Sequence, residues 1–187
     1  DSKKKSVAFK NNNNLKNKLI KNLPFQLTKS QTQVLEEIKT DLESNTQMIR
    51  LLQGDVGSGK TIVALASMLT VIESGFQCAF MAPTSILAYQ HYENISILLE
   101  NLSIKITLLT GKDKGKIRKE KLEKIRDGEV ELIVGTHALI QEGVTFKNLG
   151  LSVIDEQHRF GVYQRLAFNY KGFRPSILVM SATPIPR

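Results

Sequence analysis

The 187-residue chain carries 26 lysines and arginines against 18 acidic residues, and 41% of it is apolar. That size and balance suit one soluble globular domain with a tail, and no apolar run approaches the ~20 residues that would span a bilayer. No signal-peptide pattern stands at the start, and a single cysteine, Cys78, excludes an internal disulfide. Cys78 sits in an apolar run as a small core residue, and a reducing, cytoplasmic compartment is expected.

Residues 1–22 are rich in lysine and asparagine, with seven lysines against Asp1. They read as a disordered or loosely helical arm in which Leu15, Leu19 and Ile20 could dock a short helix. Composition changes at Leu23-Pro24-Phe25, where the domain boundary is expected: residues 1–22 as arm or linker, 23–187 as the domain. No start methionine is present, so an excised piece of a larger protein is expected.

Thr28 to Ser44 reads as a helix with Val34, Leu35, Ile38 and Leu42 on one face. Thr28 with Gln31 three residues later fits a capping box. The Gln31 amide could equally read an adenine edge, because it both donates and accepts; spacing leaves the two roles open. Met48–Leu52 is an apolar, strand-like run, and a helix continues from Ile62 toward a terminator at Gly75.

Between strand and helix lies Gly54-Asp55-Val56-Gly57-Ser58-Gly59-Lys60-Thr61, the stretch around which the chain is organised. Strand, glycine-rich turn, Gly-Lys-Thr and helix together make the phosphate-binding loop of a nucleoside triphosphatase. Glycines let successive N–H groups turn inward around a phosphate, and the helix adds the positive end of its dipole. Lys60 would reach the β- and γ-phosphates, and the Thr61 hydroxyl would ligate Mg²⁺.

Further along, Gln77–Ala82 reads as a strand ending in Pro83-Thr84, then Ser85–Leu99 as a helix and Ile104–Leu109 as a strand. Lys112–Arg126 is amphipathic and basic, with eight lysines and arginines against three acids, and Asp127-Gly128 stop it. Glu131–Val134 is a strand ending in Gly135-Thr136-His137. Leu151–Ile154 is a strand running into Asp155-Glu156-Gln157-His158, and Ser176–Met180 is one ending in Ser181-Ala182-Thr183-Pro184. Alternating strands and helices predict an α/β fold with a mainly parallel sheet and helices on both faces. Ligands bind beyond the carboxyl ends of such strands, where every polar cluster named here falls.

Adjacent carboxylates at a strand end suit Mg²⁺-dependent hydrolysis: Asp155 holds the metal through its water shell while Glu156 polarises the attacking water. Lys60, Asp155 and Glu156 are thus the candidate catalytic residues. His158, Ser181 and Thr183 could relay nucleotide state to neighbouring segments, although each also fits plain capping or turn chemistry. The turns Pro83-Thr84 and Gly135-Thr136-His137 could present backbone N–H and hydroxyl groups to nucleic-acid phosphates. Basicity concentrated in residues 1–22 and 112–126 fits a polyanion partner, and would equally describe a solvated tail and helix face. One cysteine and three scattered histidines cannot build a zinc site.

Taken in order, these residues resemble the first motor domain of a superfamily 2 helicase. Gln31 matches the Q motif, Gly54–Thr61 motif I, Ala82-Pro83-Thr84 motif Ia, Gly135-Thr136-His137 motif Ic, Asp155–His158 motif II and Ser181-Ala182-Thr183 motif III. Gly-Asp-Val-Gly-Ser-Gly-Lys-Thr, Gly-Thr-His-Ala-Leu-Ile at 135–140, Asp-Glu-Gln-His-Arg-Phe-Gly-Val at 155–162 and Ser-Ala-Thr-Pro-Ile-Pro-Arg at 181–187 resemble the RecG family. The Mfd family of transcription-repair coupling translocases is an alternative, but its motif II typically reads Asp-Glu-Glu-Gln where this chain has Gln157-His158. Ser85 and Tyr89 stand where related sequences often carry acids.

The resemblance implies a RecA-like fold, ATP and Mg²⁺ as cofactors, adenine-side contacts by Phe25 and Gln31, and DNA-backbone contact near motifs Ia and Ic. It implies branched double-stranded DNA, such as forks and Holliday junctions, as partner, with single-stranded DNA-binding protein a further candidate and no membrane role. In that family a wedge domain precedes this region, and a second RecA-like domain with an arginine finger follows it. The chain alone is therefore expected to bind nucleotide weakly, without fast hydrolysis or unwinding. A nucleotide switch without motor activity is a rival reading, which motifs Ia, Ic and III disfavour. A small-molecule kinase or a transporter ATPase is another; the transporter hallmark ahead of the acidic strand is missing.

Overall fold

The computed structural model describes residues 8–54, 59–141, 143–155 and 174–181. Within them lie α1 (Asn14–Lys21), α2 (Lys29–Glu43), β1 (Ile49–Gln53), α3 (Lys60–Glu73), β2 (Gln77–Met81), α4 (Ser85–Leu98), β3 (Ile106–Leu109), α5 (Gly115–Arg126), β4 (Leu132–Gly135), a 3₁₀ turn (His137–Ile140), β5 (Leu149–Asp155) and β6 (Ser176–Ser181). The six strands form one sheet in the order β1-β6-β5-β2-β4-β3. Every pairing is parallel, as the alternation of strands and helices predicts.

A parallel sheet buries both faces, so its central strands read as unbroken apolar runs rather than alternating ones. All five residues of β2 are buried. Leu52, Phe80, Val134, Val153, Leu178 and Met180 face a core shared with α1–α4, while Ala79, Ile133, Ile154 and Ile177 face a second core closed by Ile125 of α5 and Leu139. Gln77 is buried among them and fully satisfied. Its amide donates to the carbonyls of Ile125 (3.0 Å) and Val130 (2.8 Å) and accepts from Asn148 N–H (3.1 Å), so one polar side chain ties β2 to the end of α5 and the approach to β5.

Helix α3 is apolar nearly all round, and a helix of that kind must be covered on every side. Residues 62–72 are all buried. Part of the cover comes from the lysine- and asparagine-rich arm. Leu19 is buried as the docking of a short helix requires, but the change of composition at Leu23 does not mark the edge of the core. Phe9 is 1% exposed, packs edge-on against Phe76 with ring centroids 5.2 Å apart, and donates its N–H to Leu42 O (2.8 Å). Asn11 donates to Thr70 O (2.9 Å), and Thr70 Oγ1 donates to Asn13 Oδ1 (2.7 Å). The Glu73 carboxylate accepts the N–H groups of Asn14 and Leu15, placing an acid at the positive end of α1. Two of the asparagines that suggested disorder, Asn11 and Asn13, instead supply hydrogen bonds that seat the segment.

The basic stretch becomes helical at Gly115, later than its amphipathic pattern suggested. Asp113 accepts the Thr110 N–H (2.9 Å) and Thr110 Oγ1 the Lys112 N–H (3.1 Å), and such local side-chain bonds compete with helix formation. Lys121 bonds to Asp113 Oδ1 (2.7 Å) and Leu108 O (2.6 Å), so one of the eight basic groups is committed to the fold.

Candidate nucleotide-binding site

Strand β1 delivers Gly54 to the carboxyl edge of the sheet, and the chain re-enters the described residues at Gly59, whose φ of 85° favours glycine. Asp55, Val56, Gly57 and Ser58 lie outside the described residues, as do Glu156, His158 and Thr183. Lys60 and Thr61 open α3, where the first N–H groups have no partner within the helix and the dipole is positive.

Strand β6 lies between β1 and β5, and its last residue joins the two ends of the loop. Ser181 O accepts from Gly54 N–H (3.1 Å) and from Lys60 Nζ (3.1 Å). The contact that Ser181 makes with the loop runs through its backbone carbonyl. Asp155 ends β5 in register with Met180, one strand further along the same edge. Lys60, Ser181 and Asp155 therefore come from three chain segments and meet at one edge of the sheet. A carboxylate and a helix-start hydroxyl are hard oxygen donors, the kind that suits Mg²⁺ rather than a softer metal.

Gln31 serves in the capping box that the sequence suggested. Its Oε1 accepts from Thr28 N–H (2.9 Å), and Thr28 Oγ1 accepts from Gln31 N–H (3.1 Å). The same side chain also lies against Gly59, since a Cβ added there would collide with Gln31 Nε2. Capping and proximity to the phosphate loop are thus compatible, because an amide oxygen has a second lone pair and Nε2 lies at the opposite end of the group. Phe25 is half exposed and lines a cavity of about 680 Å³ between α1 and α2, whose walls include Lys16, Thr32 and Glu36 but none of the described loop residues.

Pro83 and Thr84 stand between β2 and α4, and Gly135, Thr136 and His137 at the end of β4, on the same edge of the sheet. Both threonines cap the turns that follow: Thr84 Oγ1 accepts Leu87 N–H (3.2 Å) and Thr136 Oγ1 accepts Ala138 N–H (3.3 Å). A hydroxyl that accepts in this way keeps its own proton to donate. Gly135 has a packing reason to be glycine, because a Cβ there would run into Leu109 O and the Leu139 side chain.

One site residue was missed. His91 Nε2 lies 2.9 Å from Asp155 Oδ2, and its ring tilts against Phe80 with centroids 4.6 Å apart. A signal was there to find: Ala88, His91, Ile95 and Leu99 fall at helical spacing, which makes His91 a polar interruption of an inward stripe. Among the described residues no cluster of histidine, cysteine and acidic groups could hold a metal by itself, and no helix is long and apolar enough to cross a membrane.

The DEAD/DEAH box helicase family model matches residues 28–187, all the elements that build this edge. The chain belongs to the DEAD/DEAH box helicase family. Within it, the chain is similar to the ATP-dependent DNA helicases RecG of Streptococcus pneumoniae, at 55% identity over 88% of this chain, and of Bacillus subtilis, at 54% over 91%. It spans about a quarter of the length of those helicases, 24% and 25%. A solved structure of RecG bound to a three-way DNA junction superposes with a TM-score of 0.88 at 48% identity, covering 98% of this chain and 24% of that one. The helicase MrfA bound to DNA, at 17% identity and a TM-score of 0.66, shares the fold.

Proposed function

We propose that this helicase domain is the ATP-binding first motor domain of a RecG-type enzyme, which couples ATP hydrolysis to translocation on branched DNA in fork regression and Holliday-junction branch migration. The observation that carries the reading is the convergence of Lys60, Ser181 and Asp155 on one sheet edge. A triphosphate seated at the start of α3 would draw the Lys60 ammonium from a neutral carbonyl to a charged phosphate, a stronger, charge-assisted partner. The Ser181 carbonyl would then give up the Lys60 ammonium as nucleotide arrives while keeping Gly54 N–H, giving β6 a direct sense of site occupancy. Thr61 and Asp155 would hold Mg²⁺, which when bound supplies charge neutralisation on the phosphate oxygens. Glu156 would polarise the attacking water.

Branched DNA as substrate follows from the likeness to RecG and from the strand ends at Pro83–Thr84 and Gly135–His137, which face the same edge as the nucleotide site. A DNA substrate and the buried, single Cys78 suit a cytoplasmic enzyme. Full activity would need a second RecA-like domain to supply an arginine finger, worth roughly 10³–10⁵ in rate in related triphosphatases, and a wedge domain to hold the junction. The test is steady-state Mg-ATP turnover by this chain with and without forked DNA, with Lys60→Ala as the blank. Detectable nucleotide binding with negligible turnover is expected. DNA-stimulated turnover that Lys60→Ala abolishes would mean that the site is complete in itself and that no arginine from a second domain is needed.

A further inference from the structure

We propose that His91 is a positioning residue for Asp155: by holding Oδ2 it aims the other carboxylate oxygen at the water shell of the magnesium ion. The inference rests on the reading of Asp155 as the metal-binding carboxylate, and it assigns to α4 a role at the nucleotide site. Three observations carry it. His91 Nε2 and Asp155 Oδ2 are 2.9 Å apart, and both side chains are largely withdrawn from water, at 19% and 20% exposure. The imidazole packs against Phe80, itself fully buried on β2, with ring centroids 4.6 Å apart. And β2 pairs directly with β5, Met81 opposite Ile154, so the helix that follows β2 is built beside the strand that ends in Asp155.

A carboxylate only accepts hydrogen bonds, so Nε2 carries the proton and donates it. An aspartate at the end of a strand has two free torsions and two equivalent oxygens. One charge-assisted bond from a ring packed against Phe80 restricts that freedom. Carboxylates that ligate metals are generally oriented in this way by a second partner, and loss of the partner typically costs about 10–100-fold in metal affinity or activity. Asp155 does not need His91 in order to fold; it needs it to point.

The test is binding rather than turnover. The affinity of this chain for a fluorescent, non-hydrolysable ATP analogue is measured at saturating Mg²⁺ and again in EDTA, and the ratio gives the magnesium enhancement. The variants are His91→Phe, which keeps a ring on Phe80 but has no donor, His91→Gln, whose amide restores a donor near the Nε2 position, and Asp155→Asn. His91→Phe is expected to cut the enhancement about tenfold or more, with the affinity in EDTA, which reports an intact phosphate loop, changed by less than about twofold. His91→Gln should recover most of the enhancement. His91→Leu carries the same test should the larger ring disturb the packing.

Full enhancement in His91→Phe, or a His91→Gln variant no better than His91→Phe, would overturn the proposal. So would an equal loss with and without Mg²⁺, since that is the mark of a purely structural residue. Full enhancement in Asp155→Asn would overturn the metal reading of Asp155 and this inference with it. Enhancement lost in Asp155→Asn but kept in His91→Phe would overturn the role of His91 alone.

Discussion

Gln31 caps α2, and we propose that it also reads adenine; one substitution separates the two tasks. Its side-chain oxygen caps α2 through Thr28 N–H at 2.9 Å, while its Nε2 lies against Gly59 of the phosphate loop. Gln31→Ala removes both. The cap lies at an exposed helix start, where one such bond contributes about 0.5–1 kcal/mol, so a fall of roughly 1–4 °C in Tm is expected for a chain of this size. Gln31→Glu keeps the cap, because glutamate serves a capping box as well as glutamine and its charge suits a helix N-terminus. Its Tm should stay within about 1 °C of the parent. What the substituted carboxylate cannot do is donate a hydrogen bond toward an adenine.

The assay is therefore the ratio of affinities for fluorescent ATP and GTP analogues. Repulsion between the new carboxylate and the phosphates acts on both nucleotides and cancels in the ratio, which leaves base recognition. One lost, well-aligned hydrogen bond of about 1.4 kcal/mol corresponds to roughly a tenfold fall in the preference for adenine. Thermal unfolding of the same two variants supplies the other half of the comparison. If Gln31→Glu destabilises as much as Gln31→Ala, or if both keep the parent's preference for adenine, the separation of roles is refuted.

Asn13 combines a left-handed backbone (φ 54°) with the buried acceptor of Thr70 Oγ1. Asn13→Ala should cost about 2–3 kcal/mol in urea unfolding, of which Asn13→Gly regains only the backbone share. Lys16 is 7% exposed, and burial holds its ammonium below the ordinary 10.5, with Glu36 opposing the shift. The folded state thus binds that proton less tightly than the unfolded chain. The penalty is present in full below the lowered pKa and fades as pH rises toward 10.5, so stability should rise through that window. Lys16→Met should raise Tm at neutral pH, by a margin that shrinks in alkali. Ser152 is 1% exposed on β5, and among the described residues its hydroxyl has no hydrogen-bond partner. Ser152→Ala should be neutral within about 0.5 kcal/mol or stabilising in calorimetry.

Much of this protein could be read from local sequence, because the physics involved is local. The conformational freedom of Gly59, the partnerless N–H groups ahead of Ile62, the Thr28–Gln31 box and the apolar runs of the central strands each depend on residues a few positions apart. They sufficed for the α/β class, and they pointed to a phosphate loop and a candidate site. The order of the strands was not legible, since nothing within a strand says which neighbour it will pair with. That order places β6 between β1 and β5, brings Ser181 O to Lys60, and sets α4 where His91 meets Asp155, 64 residues away in the chain. The arm shows the limit most clearly. Lysine and asparagine composition suggests disorder because few apolar groups are present to drive folding. Phe9 and Leu19 suffice here because the apolar flank of α3 would otherwise face water. Composition describes a segment's own chemistry; only the tertiary structure shows what surface is waiting for it.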